Sequence, residues 1–139
     1  MIRVRFFVEY LGNSEEFLSK RIKENVDKIK ERYSVVEYSI GEPERIEKNT
    51  YSSYLEITID FESIEDLFAF ILDFTPTVVE VLSPDKITLS ISEFQNILND
   101  FASKVRTVAW AARELWAQNQ LLRQKILDIM KEVKEKTSQ

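Results

Sequence analysis

The first residues of the chain alternate between apolar and mostly polar side chains, which predicts a β-strand with one buried face. The apolar positions of this strand are Ile2, Val4, Phe6, Val8 and Tyr10. Gly12 and Asn13 interrupt the alternation, and Asn13 with Glu16 three residues later fits a helix-capping box. Apolar residues then recur at helical spacing to roughly Arg32, and they are Phe17, Leu18, Ile22, Val26, Ile29 and Tyr33.

A second strand–helix–strand pattern follows an extended segment from Val35 to Thr50. Residues 51–61 alternate clearly and predict a strand, whose apolar face carries Leu55, Ile57, Ile59 and Phe61. Ser63 with Asp66 predicts the start of a short helix that Pro76 ends. The apolar residues of that helix are Leu67, Phe70, Ile71 and Phe74.

Residues 77–82 predict a further strand, and Ser90 with Glu93 predicts the start of a last helix, which no later Gly or Pro interrupts. This order predicts an α+β protein with a ferredoxin-like βαββαβ antiparallel sheet and both of its helices on one face. We expect residues 1–89 to form that domain. Residues 90–137 should form a long C-terminal helix, continuous with it, that enters a coiled coil or helical bundle.

Twelve consecutive positions of the last helix follow the four- and three-residue spacing of a coiled-coil seam. They are Phe94, Leu98, Phe101, Val105, Val108, Ala112, Leu115, Asn119, Leu122, Ile126, Ile129 and Val133. A helix of this length measures about 60 Å, whereas a domain of roughly 100 residues is only about 35 Å across. We therefore predict that the seam residues from Phe101 to Val133 form an oligomer interface in a homodimer or higher homo-oligomer.

Asn119 is the one polar residue of this seam, and three interpretations are open. Two Asn119 side chains can pair across a parallel dimer and set its register, which is the interpretation we favour. Alternatively, Asn119 marks the tip of a helical hairpin or a frayed break, or it is simply exposed. The apolar surface widens around Ala109 to Ala117, with Trp110 and Trp116 outside the seam. That width indicates burial on a second side, against the sheet domain or in a bundle of more than two helices.

Composition removes most catalytic chemistry from consideration. The sequence has no Cys, no His and only two Gly, which excludes thiolate and imidazole chemistry and any glycine-rich phosphate loop. The remaining candidates are the carboxylates Asp60, Glu62, Glu65 and Asp66. Glu65 and Asp66 are expected in the first turn of a helix, where acids offset the helix dipole, and the other two should be solvated. We expect no enzyme and no catalytic, cofactor-binding or metal site.

Charge is unevenly distributed along the chain and disfavours nucleic acid as a partner. Residues 51–100 contain ten acids and one Lys, whereas residues 101–139 contain eight basic residues and four acids. Arg3 and Arg5 should form cross-strand pairs with acids of the sheet. A contact surface on that sheet face for protein or a small ligand would include Phe7, Tyr51 and Tyr54.

No apolar run is long enough to span a membrane and no signal peptide is evident, so we expect a cytoplasmic protein. The Glu and Lys content is compatible with a thermophilic source.

About a quarter of the chain, from residue 54 to residue 87, resembles the WCX domain at the C-terminus of WYL-type bacterial transcription regulators. The similar features are a strand, the segment SIEDL that opens a helix, the turn DFTPT, and the strand VEVLSP. Thr75 and Pro76 stand where that family has Gly-Pro. The resemblance implies a ferredoxin-like module used in ligand sensing or assembly.

Together these patterns predict a non-enzymatic, homo-oligomeric scaffold or protein-binding module that assembles through its C-terminal helix. The alternative is a ligand-sensing regulatory domain, related to transcription regulators, whose sheet face binds a small molecule.

Overall fold

A computed structural model describes residues 1–138, and the chain forms five strands and three helices in them. The strands are β1 (Ile2–Gly12), β2 (Ser34–Ile40), β3 (Glu44–Glu47), β4 (Thr50–Phe61) and β5 (Val78–Ser83). The helices are α1 (Glu15–Arg32), α2 (Ile64–Phe74) and α3 (Ile91–Thr137). The protein is therefore α+β, with an antiparallel sheet and a long C-terminal helix, as predicted. The chain divides into two compact units, residues 1–97 and residues from 98 onward.

The sheet is organised around its two longest strands. The strand order is β2-β4-β1-β5, and β3 pairs with the remaining part of β4. β1 and β4 pair along their length, from Ile2 opposite Phe61 to Gly12 opposite Tyr51. β5 pairs with β1 and forms an edge of the sheet on which every residue is exposed. The β3 pairing is an addition to the prediction, because the segment before Thr50 was expected only to be extended.

The core lies on one face of this sheet, beneath α1 and α2. It combines the alternating residues of β1 and β4 with one side of each helix, which confirms the apolar faces predicted for both strands. Phe70 of α2 is fully buried, and its ring centre lies 4.4 Å from that of Phe6 and 5.9 Å from that of Phe61. Phe17 belongs to the apolar pattern predicted for α1, but its side chain is 60% exposed while the adjacent Leu18 is buried.

The helix starts depend on serine caps. The Oγ atoms of Ser63 and Ser90 accept hydrogen bonds from the backbone N–H groups of Asp66 and Glu93, as predicted. For α1 the prediction of Asn13 is wrong, because Ser14 is the cap and accepts from Phe17 N–H. α2 ends at Thr75, which has the left-handed conformation (φ 46°) that usually favours glycine.

Helix α3 runs from Ile91 to Thr137 without interruption, so the hairpin and break interpretations of Asn119 are wrong. Ile97 is its one buried residue among those described. Every residue from 98 to 138 is exposed. The second unit, taken by itself, thus contains no buried side chain that could form a core.

Candidate functional sites

The open face of the sheet, opposite the core, carries three cross-strand ion pairs. Arg3 binds Asp60 through two hydrogen bonds, Nε to Oδ1 at 2.8 Å and Nη2 to Oδ2 at 3.0 Å. Arg5 places its Nη2 2.7 Å from Oε2 of Glu80, and its Nε lies 3.9 Å from Glu56. These contacts confirm the predicted cross-strand pairs. Asp60 was expected to be solvated, but its side chain is only 11% exposed because it lies against Arg3.

The Arg3–Asp60 pair changes the acid–base behaviour of both groups. The hydrogen bond from Arg3 holds the pKa of Asp60 below its ordinary value of 3.8, although partial burial acts in the opposite direction. The same bond raises the pKa of Arg3. Asp60 is therefore a poor general acid or base near neutral pH, since that role requires a pKa close to the working pH. Glu65 and Asp66 lie in the first turn of α2, as expected.

Two of the three aromatic residues predicted for this face lie together on it. The ring centres of Phe7 and Tyr54 are 6.5 Å apart, and Tyr54 is 48% exposed. The prediction for Tyr51 is wrong, because Tyr51 is partly buried and packs against the core. Strand alternation explains the difference, since positions 51 and 54 of one strand point to opposite faces. The pair leaves an aromatic surface beside the Arg5–Glu80 ion pair.

Gly41, just after β2, makes room for the Tyr54 ring. A Cβ atom at this position would lie 2.4 Å from Cε1 of Tyr54. The backbones are held together as well, because Gly41 N–H donates to Tyr54 O at 2.9 Å and Ser53 Oγ donates to Gly41 O at 2.6 Å. The missing side chain at position 41 thus lets the ring lie directly on the neighbouring backbone.

A cavity of about 520 Å³ opens on the other face, where α1, the end of α2 and β1 meet. Arg21, Asn25 and Lys28 of α1 line it, and spacings of four and three residues put them on one side of the helix. Asn25 Nδ2 donates to Tyr10 Oη at 2.9 Å, and Arg21 Nη1 donates to Leu11 O at 3.5 Å. The sequence prediction missed this cavity, although the polar stripe on α1 was a usable signal.

The predicted interface residues all lie on α3, and the structure leaves them exposed. The ten large apolar residues of the seam are between 47% and 68% exposed. Ala112 and Asn119 are exposed as well. Trp110 and Trp116, outside the seam, are 68% and 66% exposed. A soluble protein rarely leaves so long an apolar stripe open, which makes the seam a candidate contact surface.

The fold and these surfaces define an α+β sheet domain with a long C-terminal helix. The sequence model of the MJ0538 family matches residues 3–134, and the protein belongs to that family. It is 28% identical over 102 residues to "Uncharacterized protein MJ0538" of Methanocaldococcus jannaschii. The match covers 70% of this chain and 38% of that relative, so the chain spans less than half of the relative's length. No solved structure matches the chain.

Residues 1–138 contain no group of three or more acidic residues arranged to hold a metal ion. Within the same residues, no helix combines the length and the apolar character needed to cross a membrane.

We expect Asp60→Asn to lower the free energy of unfolding at pH 7, because it removes the charged partner of Arg3. The pKa of Asp60 is lowered in the folded state, so its contribution is fully present above the ordinary value of 3.8 and is lost as the pH falls through the lower folded value. The difference between wild type and variant should therefore be constant between pH 5 and 7 and shrink toward pH 2. Urea titrations at each pH measure it.

The matched control is Glu62→Gln, which neutralises a nearby exposed carboxylate on the same strand–helix junction. We expect it to change the free energy of unfolding little at pH 7. Identical pH profiles for Asp60→Asn and Glu62→Gln would contradict the assignment.

We expect Gly41→Ala to destabilise the protein by about 1–3 kcal/mol, because the new methyl group overlaps the Tyr54 ring and displaces it. In a Tyr54→Ala background the same substitution should cost far less, since the overlap is gone. Chemical denaturation of the wild type, the two single variants and the double variant gives the coupling energy. Gly12→Ala is the control, because a Cβ there meets Leu18 Cδ1 at an ordinary 3.4 Å. Equal costs in both backgrounds would mean that the backbone, and not the ring, requires glycine at position 41.

Proposed function

We propose that this protein is a non-enzymatic, homo-oligomeric scaffold or protein-binding module that assembles through α3. The observation that carries the proposal is the uninterrupted helix from Ile91 to Thr137, whose regular apolar seam is exposed along its length. The occupant of the seam is a second copy of the same helix. Knobs-into-holes packing needs this spacing on both partners, and an identical chain supplies it.

Energetics support self-association. A fully buried side chain of this size is worth roughly 1.5–3 kcal/mol. Covering half of each of the ten large seam residues on two chains would outweigh the roughly 4–15 kcal/mol cost of association. An isolated helix gains little from hydrogen bonds alone, because helical stability in proteins comes mainly from packing of the apolar face.

Asn119 supports a parallel arrangement in register. In a parallel pair each seam residue meets its own copy, so the amide of one Asn119 can hydrogen-bond the other. In an antiparallel pair Asn119 would face an apolar residue, which leaves a polar group without a partner. Ile126 and Val133 lie at the same heptad position as Asn119, and Leu115 and Leu122 lie at the other seam position. This combination favours two strands, whereas Ile129 at the second position favours more. Trp116 and Met130 beside the seam favour additional burial and hence a larger bundle.

The first unit supports a ferredoxin-like classification. Leaving β3 aside, its strands and helices follow the order βαββαβ, and the strand that follows α1 lies at one edge while the strand that follows α2 lies at the other. Both helices contribute to one core on one face of the sheet. We propose that this unit displays binding surfaces, among them the Phe7–Tyr54 pair, and that α3 brings several copies of them together.

We expect Leu115→Asp to convert the oligomer to a monomer at tens of micromolar, because the substitution places a carboxylate in the seam of each chain. Leu121→Asp is the matched control: Leu121 is similarly exposed, at 65% against 61%, but lies outside the seam. Sedimentation equilibrium measures the mass against the 16.4 kDa of one chain. A monomeric wild type at this concentration contradicts the proposal.

Asn119→Leu extends the same experiment to the role of the polar seam residue. It should keep or raise stability while altering the number of chains per assembly, since the register device is lost. An unchanged dimer would remove the register role of Asn119 and leave the seam itself intact.

A second candidate is a ligand-sensing regulatory domain, as the resemblance to WCX domains implies. Residues 54–87 fold as most of β4, α2, a turn and β5, which is the order expected from that resemblance. Thr75 adopts the left-handed conformation that favours glycine, where that family has glycine. In such a sensor, ligand binding to the first unit must change self-association of α3, because coupling between two sites is reciprocal. An unchanged mass with ligand bound would exclude this role.

A further inference from the structure

The polar wall of the cavity between α1, α2 and β1 is mainly basic. Arg21 and Lys28 supply two positive charges, and neither forms an ion pair among residues 1–138. Glu9 also borders the cavity, but strand alternation directs its side chain to the open face of the sheet. Asp73, the other acid at this cavity, pairs with Arg32 at 3.5 Å. The wall therefore has an excess of positive charge.

Arg21 and Asn25 of this wall are held in position before any ligand arrives. The guanidinium carbon of Arg21 lies 5.6 Å from the ring centre of Tyr10, and Arg21 also donates to the carbonyl oxygen of Leu11. Tyr10 is only 5% exposed, and its hydroxyl orients the amide of Asn25. Preorganised groups lose little freedom on binding, which favours affinity.

Apolar side chains also border the cavity. Val8 is buried in the sheet, and Phe74 at the end of α2 is partly buried against the core. The volume of about 520 Å³ lies within the range of roughly 300–1,000 Å³ that is usual for small-molecule sites.

We propose that this cavity binds a small organic acid, with its carboxylate on Arg21 and Lys28 and its apolar part on Phe74. A planar carboxylate matches the two parallel N–H donors of a guanidinium group. Asp73 at the border makes a monoanion a better fit than a dianion, because each added negative charge is repelled by that carboxylate. Asn25 donates to Tyr10 through one amide hydrogen and keeps a second for the ligand. The site is independent of assembly through α3.

The test compares three probes that separate the head group from the apolar body. Sodium acetate carries the carboxylate alone, benzyl alcohol the ring alone, and phenylacetate both. The full chain is titrated with each by calorimetry, at constant ionic strength, and its thermal unfolding is followed by circular dichroism. We expect phenylacetate to bind at least tenfold more tightly than acetate or benzyl alcohol and to raise the melting temperature by several degrees.

Two double variants decide whether the cavity is responsible. Arg21→Gln with Lys28→Gln should weaken phenylacetate binding at least tenfold. Lys20→Gln with Lys23→Gln is the control, because it removes the same charge from exposed positions of α1 outside the cavity and should leave binding unchanged. Failure of phenylacetate to bind, or an equal loss in both double variants, overturns the proposal. Neither result bears on assembly, which sedimentation tests separately.

Discussion

The antiparallel pairing of β1 with β4 is the constraint on which the first unit depends. Its register places Val4 opposite Ile59 on the core face and Arg3 opposite Asp60 on the open face. A slip of one residue would exchange the two faces, burying the charged side chains and exposing the apolar ones. The core, the ion pairs and the position of Tyr54 beside Phe7 therefore all follow from one alignment of two strands.

The regular parts of this fold could be predicted because their patterns are local. Alternation identified β1 and β4, and serine followed three residues later by an acid identified the starts of α2 and α3. Asn13 and Ser14 are both good capping residues, and local sequence could not choose between them. Phe17 and Leu18 are about 100° apart around the helix, so only contact with the sheet decides which is buried. β3 is four residues long and mostly charged, which leaves too little alternation to detect.

A candidate site could be predicted from the sequence when all of its residues lie on one helix or strand. The seam belongs to a single helix, and its spacing alone located every member on α3. The cavity forms where α1 and the end of α2 meet in the folded protein. It therefore cannot be predicted from the sequence of either segment alone. The Phe7–Tyr54 pair lies between these cases, because strand alternation places each ring but only Gly41 explains how Tyr54 lies against its neighbour.

The charged residues of the open face contribute to structure more than to chemistry. Arg3 and Arg5 each have a carboxylate partner within 3 Å, so neither offers a free cation to phosphate or substrate. The pair formed with Arg3 lowers the pKa of Asp60, so this carboxylate stays ionised to a more acidic pH than an ordinary aspartate. What the face offers to a partner is mainly the partly exposed aromatic pair, and surfaces of that kind are common in protein–protein contacts.

The exposure of every residue from 98 to 138 has a consequence for how the protein responds to dilution. The first unit buries its own core, so its melting temperature should not vary with protein concentration. The helix beyond Ile97 has no such core, so its stability depends on association: the free energy that favours the helix should rise with the logarithm of protein concentration. The stability of the first unit would then be a property of the single chain. The stability of the helix would depend on the protein concentration.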